Sequence, residues 1–238
     1  MLTDVIQSMA YDGLDALCRI LKCDGGLASH MVKSTLFFRP EQVALQAEKM
    51  LLYASGAEKL PVRFSSRKSA YKTSTGNIRV FQNKAEAVRI SESEDIYASV
   101  RPGIRIRIDK DGNYWVRRAI KEYTGEKVST GTISTIKNYM ISHIWGCTDD
   151  PFYFTALWNI ALIPLHCSFV LDKQTERTLH IKALYKAICW ELYRPDLLLG
   201  IDFPEIPAEE YVCQARKCID NGMLNLIPDN DIFSYNNL

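Results

Sequence analysis

The chain has 238 residues, 47% hydrophobic and 24% charged, which matches an ordinary globular protein with material for one large core or two small ones. No run approaches the roughly twenty apolar residues of a membrane helix, since even Phe152 to Leu171 carries Asn159, Pro164 and His166. The formal net charge of +1 hides an uneven spread: residues 61–140 hold sixteen Lys/Arg against eight Asp/Glu, and the rest hold thirteen against twenty.

Residues 3–22 are expected to be helical, with Ile6, Met9, Leu14, Leu17 and Leu21 recurring at three to five until "CDGG" stops the pattern. Asp4 and Asp12 stand where a signal peptide would be basic and then apolar, which points to a cytoplasmic protein. The seven cysteines are odd in number and sit mostly among apolar residues, so reduced, buried thiols are expected rather than disulfides. Cys18 and Cys23, like Cys213 and Cys218, are five apart, and no CxxC pair suggests a zinc knuckle.

A second helix opens at "RPEQVALQAEKMLLYAS", with Pro40 at a first helical position and Glu41 at the positive end of the dipole. The stretch 59–77, "KLPVRFSSRKSAYKTSTGN", has no apolar stripe and reads as a linker or a mobile basic loop carrying Arg67 and Lys68. Next, "GIRIRIDKDGNYWVRRAI" alternates, with Ile104, Ile106 and Ile108 on one face. "DKDGN" then predicts a turn into a second strand from Tyr114, and "NIRVFQNKAEAVRI" is a candidate for further strands. On such a hairpin Arg105, Arg107, Arg117 and Arg118 are candidate contacts to nucleic-acid phosphates, because guanidinium forks match phosphate oxygens. The alternative is a solvated arginine face.

Around "NYMISHIWGCTDDPFYFTALWNIALIP" the pattern is strand, loop, strand, followed by a helix from about His166. His143 then ends the first strand and Asn159 starts the second. The helix "TERTLHIKALYKAICWELY" follows until Pro195, and "PAEEYVCQARKCIDNG" forms a last helix from Pro207 to Gly222, ahead of a polar tail after Pro228. The expected fold is α+β: a helical region over 1–75, a basic β-rich region over 76–130, and a strand–strand–helix core with flanking helices over 131–238.

Phosphodiester cleavage requires a base, a cation to neutralise phosphoryl charge, and a group that holds the base in place. An imidazole with an unperturbed pKa near 6.5 suits the first role, and a carboxamide with one acceptor and two donors suits the last. His166, Asp172, Asp149 and Asp150 are candidate ligands for one divalent ion, and that donor set leaves magnesium, manganese and zinc open. A His between Ser142 and Ile144 is also compatible with a satisfied core residue, and His30 and His180 read as structural.

"ISHIWG", then "LWNIALIP", then "LDK" leading into a long helix, resembles the His-Asn-His (HNH) endonucleases of the ββα-metal fold over about residues 135–195. The resemblance implies His143 as general base, Asn159 as the central Asn, and His166 or Asp172 as metal ligand. Many members carry Asp or His before the base, where this chain has Ser142. It implies a metal-dependent DNA endonuclease, used in restriction or other genome defence, and a homodimer if both strands are cut. Two alternatives remain: a catalytically degenerate nucleic-acid-binding protein on the same scaffold, and an interaction module that dimerises through its N-terminal helices.

Overall fold

The computed structural model describes residues 26–56, 58–129, 134–172, 176–193 and 203–228, the side chains of 172, 176 and 177 excepted. The expected helix over 3–22, Cys18, Cys23, Pro195 and the tail after Pro228 lie outside these. The fold is mixed α+β. Its first elements are α1 (Gly26–Ser34), β1 (Leu36–Phe37), α2 (Pro40–Ser55), β2 (Leu60–Val62), β3 (Tyr71–Thr73) and β4 (Ile78–Arg79). Then come α3 (Lys84–Ser93), β5 (Ile96–Ala98), β6 (Arg105–Ile108), α4 (Tyr114–Thr124) and β7 (Tyr139–His143). The last are β8 (Ile160–Pro164), α5 (Ser168–Asp172), α6 (Glu176–Leu192), α7 (Glu209–Asp220) and β9 (Asn225–Leu226).

Two sheets organise these elements. The first runs β7-β8-β1-β9, and the second runs β2-β6-β5-β3-β4. Strand β8 is internal to its sheet, and its residues IALIP are buried throughout rather than alternately. A strand covered on both faces is selected for continuous apolar character. Around it lies the larger core, which draws on α1, α2, α4, α6 and α7. At one edge Phe203 packs edge-on or tilted against Trp145, Trp158 and Trp190, with ring centroids 5.1, 4.9 and 4.9 Å away. Tyr153 meets Trp158 at 4.9 Å. A smaller core of Val62, Tyr71, Phe81, Ile90, Ile96, Ile106 and Ile108 belongs to the second sheet.

Helix α2 begins at Pro40 as expected, with the Gln42 side chain accepting the Arg39 N–H. The stretch 59–77 is not a linker. It supplies β2 and β3, whose Leu60, Val62 and Tyr71 side chains are buried, and the second sheet so formed spans residues 60–108.

The expected hairpin over 104–118 does not form. Strand β6 is present, but from Tyr114 the chain is helical. The carboxylate of fully buried Asp109 accepts the N–H groups of Gly112, Tyr114 and Trp115 at 2.5, 3.4 and 3.0 Å. It satisfies donors that a new helix leaves open, so "DKDGN" caps a helix rather than turning a ribbon. Beyond it Val116, Ala119, Ile120 and Tyr123 are buried at helical spacing, and Gly125 closes the helix at φ 75°. Residues 78–93 divide between a short strand, β4, and a helix, α3.

Candidate functional site

Strands β7 and β8 pair antiparallel in the register His143 with Ile160 and Tyr139 with Pro164. Asn159 closes a short 3-10 turn, Leu157–Asn159, directly before β8. His143 and Asn159 therefore meet at one end of the ribbon, as the sequence suggested.

Asn159 is fully buried and fully bonded. Its Oδ1 accepts the Trp145 N–H at 2.8 Å, and its Nδ2 donates to the carbonyls of Gly146 at 3.0 Å and Tyr153 at 2.9 Å. Its own carbonyl accepts the Ile144 N–H at 2.8 Å. One carboxamide thus ties both ends of the 144–158 loop, where Gly146 (φ 72°) and Cys147 (φ 51°) turn the chain. An Asn matches this three-way demand because it offers both donor and acceptor capacity in one short side chain.

His143 sits beside that staple. Its Nε2 lies 2.9 Å from the Phe154 carbonyl oxygen, and its ring stacks on Phe154 with centroids 5.6 Å apart. A carbonyl oxygen can only accept, so Nε2 carries the proton and Nδ1 is left as the basic nitrogen. No described residue bonds to Nδ1. Burial pushes the imidazole pKa down to about 4, with the nearby Arg63 charge adding to the effect and the Phe154 bond opposing it. At neutral pH the ring is uncharged.

The pocket that His143 lines has a volume of about 470 Å³ and contains Arg63, Ser142, Thr148, Ser168, Lys182 and Lys186. Arg63 follows β2, and its guanidinium is oriented by the Gly112 carbonyl and by Asn113 Oδ1, the latter at 2.8 Å. Lys182 and Lys186 stand one turn apart on α6, so their side chains share a face. Lys186 also pairs with Glu205. Sequence reasoning missed all three cations. Arg63 was hidden in the supposed linker, but the i, i+4 lysines in "IKALYKA" are a visible signal among the apolar residues Ile181, Leu184 and Ile188.

Of the expected metal ligands, His166, Asp149 and Asp150 do not gather around His143. His166 lies two residues beyond Pro164, past the Tyr139 end of the ribbon, roughly 13 Å or more from the His143 end at about 3.3 Å per residue. Asp149 pairs with Arg67. Asp150 accepts from Arg101 at 2.9 Å and from the Phe152 N–H, and burial raises its pKa despite that arginine. Asp172 ends α5, and its side chain is outside the described part. Among described residues the polar lining of the pocket is hydroxyls, ammonium groups, a guanidinium and the single His143 imidazole, but no carboxylate. That donor set does not fit a divalent ion.

The arginines expected to face phosphates are placed as follows. Arg105 pairs with Asp95 at 3.4 Å, and Arg117 with Asp111 at 2.7 Å. Arg107 donates to the Lys59 carbonyl, and Arg107 and Arg118 both lie over the Trp115 ring, at 4.8 and 5.0 Å. Lys68 is exposed beside Arg67. The five described cysteines are free thiols, and Cys147 and Cys213 are exposed rather than buried as expected. No described helix is long and apolar enough to cross a membrane.

Comparison with known proteins places the chain in a family: it belongs to the family described as uncharacterised protein PM1201, whose model matches residues 38–229. A relative from Pasteurella multocida (strain Pm70), itself described as uncharacterized protein PM1201, is 40% identical over 62 residues. That match covers 24% of this chain and 26% of the relative, so about a quarter of the relative's length is spanned. No solved structure matches.

Proposed function

We propose that this chain is an HNH-type endonuclease that hydrolyses DNA phosphodiester bonds, with the β7–β8 ribbon and α6 as a ββα-like core. The observation that carries this reading is the His143 ring. Its Nε2–H is anchored on Phe154 and its Nδ1 is open, in a pocket where Arg63, Lys182 and Lys186 supply positive charge. These cations would hold the nonbridging phosphate oxygens. Nδ1 would take a proton from water as its oxygen bonds to phosphorus, and the leaving alkoxide would take a proton from solvent. Asn159 acts as a positioning residue through the loop that contains Phe154. Among the described residues no carboxylate lines the pocket for the divalent ion that the HNH resemblance implies, and no step above depends on that ion. A cytoplasmic location, a homodimer and a genome-defence role belong to the same proposal.

The second reading is a nucleic-acid-binding protein that has lost cleavage, and it is favoured by the hydroxyl of Ser142 directly before His143 and by the lack of any carboxylate among the described residues that line the pocket. One experiment separates the two. Supercoiled plasmid is incubated with the full chain, with EDTA, magnesium, manganese or zinc, beside His143→Ala. Nicking or linearisation lost in His143→Ala supports the nuclease. Retention of DNA without cleavage under every condition supports the binding protein, and cleavage equal in both proteins overturns the assignment of His143.

A further inference from the structure

At the other end of the β7–β8 ribbon three groups converge that the nuclease reading leaves unused. His30 comes from α1, and His166 and Cys167 from the 3-10 turn Leu165–Cys167 that links β8 to α5. One ligand atom from each lies within 4.8 Å of the other two. The His30 and His166 rings are 5.9 Å apart. Cys167 is fully buried, and His166 is exposed. His30 Nε2 is buried with no hydrogen-bond partner among the described residues. An imidazole nitrogen shut away from water without a partner is costly, and it is the kind of atom that a metal ion satisfies.

We infer that His30, His166 and Cys167 form a zinc site that fastens α1 to the end of the ribbon. The donor set decides the class of ion. Two imidazoles and a thiolate suit zinc, or cobalt as its spectroscopic substitute, and disfavour magnesium and manganese, which prefer oxygen. Ligand atoms of a tetrahedral zinc stand roughly 3.3–3.8 Å apart, given bonds of about 2.0–2.3 Å. Closing from 4.8 Å requires a shift of about 1 Å, which the exposed His166 side chain provides. Water from the open His166 side completes the fourth position. Binding releases the Cys167 proton to solvent, so affinity rises with pH.

The surroundings hold the two sides in place. The Tyr139 hydroxyl donates to the Ser34 carbonyl at 3.1 Å, and the Leu165 N–H to the Asn138 carbonyl at 2.8 Å. The metal would link two segments 136 residues apart in sequence. Its role is stabilising, because an ion that binds the folded chain alone shifts the folding equilibrium.

The test uses the full chain, stripped with a chelator and titrated with cobalt and then zinc. One equivalent of cobalt is expected, with the visible bands of a four-coordinate ion and a thiolate charge-transfer band in the near ultraviolet. Zinc should displace it and raise the melting temperature by roughly 5–10 °C at saturation. His166→Ala and His30→Ala should weaken cobalt binding at least tenfold, and Cys167→Ser should remove the thiolate band. Should the buried Cys167→Ser variant fail to fold, the two histidine variants decide. His143→Ala should bind cobalt like the unaltered chain. The site is refuted if cobalt uptake shows no thiolate band, or if uptake survives His166→Ala and His30→Ala undiminished.

Discussion

The two ends of one antiparallel ribbon differ in chemistry although the strands between them are continuous. At the His143 end a neutral imidazole and three cations surround a pocket that suits an anion. At the Tyr139 end two imidazoles and a thiol converge, a donor set that suits a soft cation, and His30 Nε2 there has no hydrogen-bond partner among the described residues. Sequence spacing placed His166 in the first group, and the strand register places it in the second. The lesson is that distance along a strand separates chemistries that adjacency in sequence appears to join. A pair of residues seven positions apart is compact in a helix, but five of those positions here are extended strand.

The largest effect that would break this contrast is expected from Asn159→Ala. It strands the Trp145 N–H and the carbonyls of Gly146 and Tyr153 in a dry interior, so a loss of about 3–5 kcal/mol in urea denaturation is expected, with the pocket's function lost alongside. His143→Ala should cost less, about 1–3 kcal/mol for the Phe154 carbonyl left without its donor, and should lower DNA cleavage by about 10²–10⁴-fold, the usual range for a general base. Replacing Lys182 and Lys186 together by Ala should weaken DNA binding at least tenfold. It should also reduce the slope of log affinity against log salt by about 2, which filter binding at several salt concentrations would measure.

The pH dependence sharpens the contrast further. The His143 pKa is depressed in the folded chain, to about 4 from an ordinary 6.5. Its contribution to stability is therefore complete above pH 6.5 and lost as pH falls toward 4, where the unfolded chain binds the extra proton. The acid limb of kcat/KM should lie near pH 4 rather than 6.5. In kcat it should lie higher, because a bound phosphodiester offsets the Arg63 charge. The smallest effect is expected from His166→Ala, which should leave cleavage within about twofold. A loss comparable with that of His143→Ala would merge the two ends into one site.

Several elements were legible because one signal dominated locally. Pro40 and Glu41 opened α2 where expected, and the apolar run after Asn159 forms the strand expected there, β8. The meeting of His143 and Asn159 at one end of the ribbon followed from two strands joined by a turn-rich loop. The region after Ile108 was misread because strict alternation ended at a turn motif that served a different purpose. The spacing of Val116, Ala119, Ile120 and Tyr123 was the contrary signal, and Asp109 was the deciding residue. Charge counts along the basic middle likewise do not reveal partners. Arg105, Arg117 and Arg67 each meet an Asp, whereas no described residue forms an ion pair with Lys182. Cross-sheet neighbours such as Arg63 at the His143 pocket depend on tertiary contacts that no local pattern encodes.

The packing around Phe203 gives the His143 end a built-in optical label. Three of the four tryptophans, Trp145, Trp158 and Trp190, share that aromatic partner, and Trp158 is fully buried. Their emission should be blue-shifted, and their close edge-on geometry should give strong near-ultraviolet circular dichroism. Trp115 lies apart between two arginines. Loosening of the loop stapled by Asn159 would thus change the colour and chirality of the protein's own light absorption and emission, without any attached dye.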